Sequence, residues 1–172
     1  MGTFPPQPNR WAMEFYYPNR TNDFWRVMGI IYYDDPAHFY TPDGKGFKLD
    51  EIKALLEREG IALHDTGARV RRLKDNASDK FLEIVTPVDL GALLKRMPHC
   101  THIATTGQKA AEVLAAITHS AVPAMGETVT AVWRDDGRTL HITRLPSTSR
   151  AYPLSPLKKA EAYRKWLTGD KR

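Results

Sequence analysis

The sequence predicts an α/β fold with parallel strands, and three observations carry that prediction. Helix-periodic and strand-like segments alternate along 172 residues, the pattern expected of helices laid against a sheet. His102 to Thr105, followed at once by Gly107 and an apolar-periodic run, reads as a strand–turn–helix unit. Two alternating segments around Asp135-Asp136-Gly137 read as a hairpin. No repeat, low-complexity tract or linker interrupts the chain, so residues 1–172 are expected to form one domain.

In chain order, Thr21 to Ile31 predicts the first helix, because Phe24, Met28 and Ile31 share one helical face. Asp50 is positioned to cap a second helix with Ile52, Leu55 and Leu56 inward, and Gly60 to end it. Ile61 to His64 then predicts a short strand. Ala68 to Ser78 is polar and basic without periodicity, which predicts a loop. Thr86 with Pro87 predicts a helix start, carrying Leu90, Leu93, Leu94 and Met97 up to Pro98. After the strand at His102, Ala110, Val113, Leu114 and Ile117 mark the next helix. Val129 to Trp133 and Thr139 to Thr143 form the hairpin, and Ser155-Pro156 caps a last helix reaching about Leu167.

Composition narrows the function classes. With 42% apolar residues the chain can bury a core, yet no apolar run approaches the ~20 residues that span a bilayer. No signal-peptide pattern opens it, so the cytoplasm is the expected compartment. The single Cys100 allows neither an intramolecular disulfide nor a four-cysteine iron–sulfur cluster. His99, Cys100 and His102 lack a fourth ligand and sit at a strand entrance where side chains diverge, so no metal is expected. Nucleotide-binding glycine motifs are missing. The net charge of +5 suits a polyanionic partner without the density of a DNA-coating protein. Arg69, Arg71, Arg72 and Lys74 form one basic cluster, Arg144 and Arg150 flank a Ser/Thr-rich turn, and Lys158, Lys159, Arg164 and Lys165 are read as surface charges of the last helix.

The most informative stretch runs from Phe15 through Tyr16-Tyr17-Pro18-Asn19-Arg20-Thr21-Asn22-Asp23-Phe24-Trp25 to Gly29. Aromatic faces beside a neutral amide suit a site that handles an everted nucleobase. Together with Gly2-Thr3-Phe4-Pro5, this stretch resembles the uracil-DNA glycosylase superfamily, in particular its hypoxanthine-DNA glycosylase-like branch. Three further segments resemble that branch in order. Gly60-Ile61-Ala62-Leu63-His64-Asp65 looks like its second-strand segment, with His64 where the family has Trp. Thr106-Gly107-Gln108-Lys109-Ala110 looks like the turn after its third strand, with Thr106 where Asn is commoner. Leu145-Pro146-Ser147-Thr148-Ser149 looks like its second signature, with Arg150 where proline is frequent, and Ser155 to Trp166 like the helix that follows.

The resemblance implies a three-layer α/β/α fold with a short, mainly parallel central sheet flanked by helices. It implies a monofunctional glycosylase that removes uracil or hypoxanthine from DNA by water attack at C1′, without a cofactor and as a monomer. No lysine stands in a signature position as a Schiff-base nucleophile, so lyase chemistry is not expected. By the same resemblance Asn22 positions the water, since an amide carbonyl holds water without ionising; its other reading is a helix N-cap. Tyr17 stacks on the base, worth ~1–3 kcal/mol, or packs the core edge. Asp65 reads the base edge or closes a strand-end turn. Gly2, Thr3 and Thr106 join the substrate-binding set. Ser147, Thr148, Ser149, Arg150 and Lys109 are assigned to DNA, the hydroxyls and backbone N–H groups of the turn being suited to phosphates; the turn also reads as simply capped.

In the resembled family an apolar strand precedes the first loop, whereas Gly2 follows Met1 directly here. Without such a strand the first loop is expected to be poorly anchored. Two other functions fit parts of the sequence: a non-catalytic DNA-binding or damage-sensing module that keeps the fold, and hydrolysis or binding of a free nucleoside.

Overall fold

The structure is a computed structural model that describes residues 1–73 and 81–169. Its architecture is mixed α/β: helices α1 (Phe24–Tyr33), α2 (Leu49–Glu59), α3 (Leu90–Arg96), α4 (Gln108–Thr118) and α5 (Pro156–Thr168) are joined by strands β1 (Gly67–Arg72), β2 (Leu82–Pro87), β3 (His102–Thr106), β4 (Thr128–Val132) and β5 (Thr139–Leu145). Among the described residues, no helix is long and apolar enough to cross a membrane. The chain divides into two compact units. Among the described residues, one combines Met1–Phe4 with Asp65–Ser147, and the other combines Pro5–His64 with residues 148–169.

The first unit carries all the strands. β5 lies in the middle of a three-stranded sheet ordered β3-β5-β4, parallel to β3 and antiparallel to β4. The hairpin prediction holds because Gly137 accepts the left-handed φ of 72° that the turn requires. Leu90 and Leu94 of α3, Ile103, Leu114, Leu140 and Ile142 form its apolar core. Arg138 closes the C-terminus of α3 by donating to the carbonyls of Leu94, Met97 and Cys100, adding a side-chain donor to the Leu94 and Met97 oxygens that already accept from the Met97 and Cys100 N–H groups.

Two sequence expectations fail in this unit, both because strand pairing depends on distant partners. Ala68 to Ser78 is expected to be a loop; residues 67–72 instead form β1, antiparallel to β2, while Lys74 and residues 75–78 lie outside the described residues. Pro87 ends β2 rather than starting a helix. The helix begins at Leu90, after Asp89, whose carboxylate accepts from the Ala92 N–H at 2.9 Å.

The expected poor anchoring of the first loop also fails. Thr66 and Gly67 donate their backbone N–H groups to the carbonyls of Gly2 and Thr3 at 2.8 and 3.0 Å, and Thr106 donates to that of Met1 at 2.9 Å. Gly2 forms a parallel bridge with Asp65.

The second unit is helical. Phe24, Trp25, Val27 and Met28 of α1, Ile52, Leu55 and Leu56 of α2, Phe39, Phe47, and Ala160 and Tyr163 of α5 are among its buried apolar residues. α2 ends at Gly60, left-handed as expected, and Ser155 caps α5 by accepting from the Lys158 N–H. Asp50 lies in the first turn of α2 while Lys48 takes the cap position; the carboxylate still meets the positive end of the helix dipole. Gly29 is required in α1 because a Cβ there would lie 2.3 Å from the Asp35 carbonyl oxygen. Ile61 to His64 forms no strand. A strand persists only where neighbouring backbone supplies a ladder, and the bridge at Asp65 is a single rung.

Candidate functional site

In the helical unit the candidate residues gather around the start of α1. Residues 19–22 close a turn in which the Asn22 N–H donates to the Asn19 carbonyl at 2.9 Å. The Asn22 side chain then turns forward, and its Oδ1 accepts from the Phe24 N–H at 2.9 Å. This is the Asx turn that Asn favours; the cap position of α1 itself falls to Asp23, which makes no side-chain cap bond, so Asn22 is not the N-cap that its other reading expected. A carbonyl oxygen has two lone pairs, so the bond fixes the amide and leaves Oδ1 able to accept once more.

Asp23, next in the chain, is 3% exposed. Its Oδ2 accepts from Lys159 Nζ at 2.8 Å and its Oδ1 from Arg150 Nε at 3.4 Å. Lys159 is fully buried and also donates to the Ser149 carbonyl at 2.9 Å. The Asp23 N–H donates to the Thr148 carbonyl at 2.9 Å. One carboxylate therefore joins the start of α1 to the 148–150 turn and to α5. Two cations face one anion, which leaves the cluster with a surplus positive charge.

Sequence reasoning missed both partners of that pair. Lys159 was expected at the surface among four cations of the last helix. Its burial corrects that: two strong acceptors converge on the ammonium and offset the cost of removing it from water. The faint signal was position, because Lys159 precedes Ala160 and lies four residues before Tyr163, both core residues of α5.

Tyr17 is half-buried and has a backbone φ of 52°, a region that bulky residues rarely occupy. Its ring stacks on Phe24 with centroids 3.9 Å apart and planes 9° from parallel. Phe24 in turn meets Trp25 and Tyr163 edge-on, and the Trp25 indole donates to the Tyr16 carbonyl at 3.1 Å. Burial, helped by the nearby Tyr17, holds the Tyr163 phenol well above the ordinary tyrosine range. Ser149 and Arg150 are exposed at the turn, whereas Thr148 is 2% exposed. Ser149 Oγ accepts from the Ala151 N–H at 3.2 Å, so the turn is locally capped as its simpler reading required.

In the sheet-bearing unit, Gly2 and Thr3 are buried and Asp65 is half-buried beside their bridge. Thr106 ends β3, and Gly107 follows at a left-handed φ of 105°. A Cβ on Gly107 would approach the Ser147 Cβ to 3.3 Å, so this glycine permits close packing between the α4 start and the end of β5. Gly2, Thr3 and Asp65 come together through the bridge; Thr106 joins them through its bond to Met1, and Ser147 through Gly107. Lys109 is half-buried on the first turn of α4. Arg144, just before the Ser/Thr signature, has a buried Nε with no hydrogen-bond partner among the described residues.

The neutral amide can accept from a water, and the hydroxyl-bearing turn with the exposed Arg150 can contact phosphate oxygens, while Lys159, fully buried, only holds Asp23 and the turn in place. No family model matches the chain, and no curated protein and no solved structure matches it either.

Proposed function

We propose that this protein is a monofunctional DNA glycosylase acting on a deaminated base, uracil or hypoxanthine, turned out of DNA. The observation that carries the reading is the setting of Asn22: its amide is immobilised by the Phe24 N–H, beside a buried carboxylate that is already neutralised by Lys159. A water donating to the second lone pair of Asn22 Oδ1 presents its oxygen to C1′. As the C1′–N bond breaks, the base leaves with the bonding electrons, the water oxygen joins C1′, and its proton is lost to solvent or to the base. Charge on the sugar develops before the water bonds, so a neutral acceptor suffices and no strong base is needed.

Tyr17 supplies the ring beside the base, and Ser149 and Arg150 supply phosphate contacts; Ser147 and Lys109 keep the phosphate role that the sequence resemblance implies, while Thr148, 2% exposed, braces the turn instead. Gly2, Thr3, Asp65 and Thr106 keep the base-recognition role that the sequence resemblance implies. The three-layer α/β/α arrangement, the monomeric state and the cytoplasmic location belong to the same reading. The test is an alkali-cleavage gel assay on oligonucleotides bearing uracil, hypoxanthine or xanthine. Base release by the parent that Asn22→Ala abolishes is expected; no release from any of the three substrates would remove the proposal.

One observation favours a second reading. The Asn22 carbonyl is already used to satisfy the Phe24 N–H at the start of α1, a structural role that a non-catalytic DNA-binding module retaining these elements would also keep. That module binds DNA with strong salt dependence and yields no product.

A further inference from the structure

Within the helical unit, a solvent-facing pocket of about 450 Å³ lies beside the turn that ends at Asn22. Its volume is in the range of ligand sites, roughly 300–1,000 Å³, but its lining is unlike a site for an apolar ligand. Arg10, Arg20 and Lys45 supply three cations, Trp11 one large ring, and Asn9 and Asn19 two amides. Among the described residues none of the three cations is in an ion pair. The nearby Asp43 carboxylate is engaged by the Thr41 hydroxyl and the Lys45 N–H at 2.6 and 3.0 Å.

The pocket is built rather than accidental. The Trp11 indole N–H donates to the Pro6 carbonyl at 2.8 Å, holding a ring that is 38% exposed in one orientation. A 3-10 turn at Pro8–Arg10 presents Arg10 beside it. The Ala12 N–H donates to the Pro18 carbonyl at 2.9 Å, bringing the Asn19 turn opposite Trp11. Asn19 Oδ1 is fixed by the Thr21 N–H and hydroxyl at 2.9 and 2.8 Å. Arg20 donates to the Gly44 carbonyl, which brings the Lys45 turn to the rim.

The geometry points to a subsite for a single nucleic-acid strand, with one base stacked on Trp11 and the flanking phosphates held by Arg10, Arg20 and Lys45. An aromatic platform with cations around it is the usual way to hold a strand without reading its sequence. Asn19, Arg20 and Thr21 form one wall of the pocket, and Asn22 follows them directly in the chain. The inference rests on the proposed function only for the partner being DNA, and deepens it by naming a strand contact through Arg10, Trp11 and Lys45, which lie outside the resembled segments.

The test is fluorescence anisotropy with a labelled oligothymidylate of roughly 12 nucleotides, titrated over a range of salt. Arg10→Gln with Lys45→Gln, both at exposed positions, is expected to lower the slope of log K against log salt by about 1.4, since each single-strand phosphate contact contributes about 0.7. Trp11→Ala is expected to weaken binding on the order of 10-fold, with Trp11→Phe restoring most of it. Parent-like affinity and slope in these variants overturn the subsite. So does displacement of the oligonucleotide by millimolar thymidine monophosphate as effective as by unlabelled strand, which assigns the pocket to a free nucleotide. Base-release assays on the same variants separate the two proposals: binding that depends on the pocket with no base release leaves the subsite standing without the glycosylase. Base release with pocket-independent binding does the reverse.

Discussion

Lys159 Nζ, fully buried on α5, donates to Asp23 Oδ2 at 2.8 Å across 136 positions of sequence. The pair fixes the residue after Asn22, and through the Ser149 carbonyl it also fixes the turn assigned to phosphate.

Removing one member alone is therefore costly. Lys159→Met leaves a carboxylate that is only 4% exposed with the longer Arg150 contact at 3.4 Å as its remaining cation, and a loss of about 2–3 kcal/mol is expected, below that of a fully unpaired buried charge. Asp23→Asn with Lys159→Met removes both charges and should recover much of it. Urea midpoints measure both, and a single variant within about 0.5 kcal/mol of the parent contradicts the pairing.

Asn22 separates structure from chemistry. Asn22→Ala deletes the acceptor of the Phe24 N–H and should cost about 1 kcal/mol. Asn22→Asp retains an acceptor and should regain that stability. If base release and stability return together in Asn22→Asp, while Asn22→Ala loses both, the neutral amide is not essential; if stability returns alone, the amide has a role beyond that hydrogen bond.

Tyr17 gives a test of backbone strain. At its φ of 52° an L-residue pays a steric cost that glycine does not. Both Tyr17→Ala and Tyr17→Gly lose the stack on Phe24, but the glycine variant is expected to be the more stable by about 1 kcal/mol. The usual order, alanine above glycine, in denaturation midpoints would show that the left-handed conformation is absent in solution.

Tyr163 sets an alkaline limit on the helical unit. Its phenol is held well above the ordinary value by burial first and the nearby Tyr17 second. The unfolded chain loses this proton near pH 10 while the folded one keeps it. The contribution to stability is thus intact below about pH 10 and declines as pH rises towards the folded value. Tyr163→Phe should flatten that decline in urea midpoints measured between roughly pH 9 and 11.

Local chemistry made much of this protein legible in advance. Gly60 and Gly137 announce left-handed turns, Ser155-Pro156 announces a cap, and Gly107 announces the start of α4, because each conformation is set by a few neighbouring residues. The spacing of Phe24 and Met28 likewise identified the buried face of α1. β1 escaped because Gly67 to Arg72 becomes a strand only when Leu82 to Pro87 arrives beside it. Ile61 to His64 erred in the other direction, an apolar run that found no ladder.

What the sequence by itself determined is where helices end and where the chain turns back. Only the tertiary structure decided that Lys159 is interior and joined to Asp23, that Gly2 bridges to Asp65, and that Trp11 shares a pocket with Arg20 and Lys45. The division has a physical cause: a turn or cap is stabilised by atoms a few residues away, whereas burying an ammonium or pairing a strand depends on partners that only folding delivers.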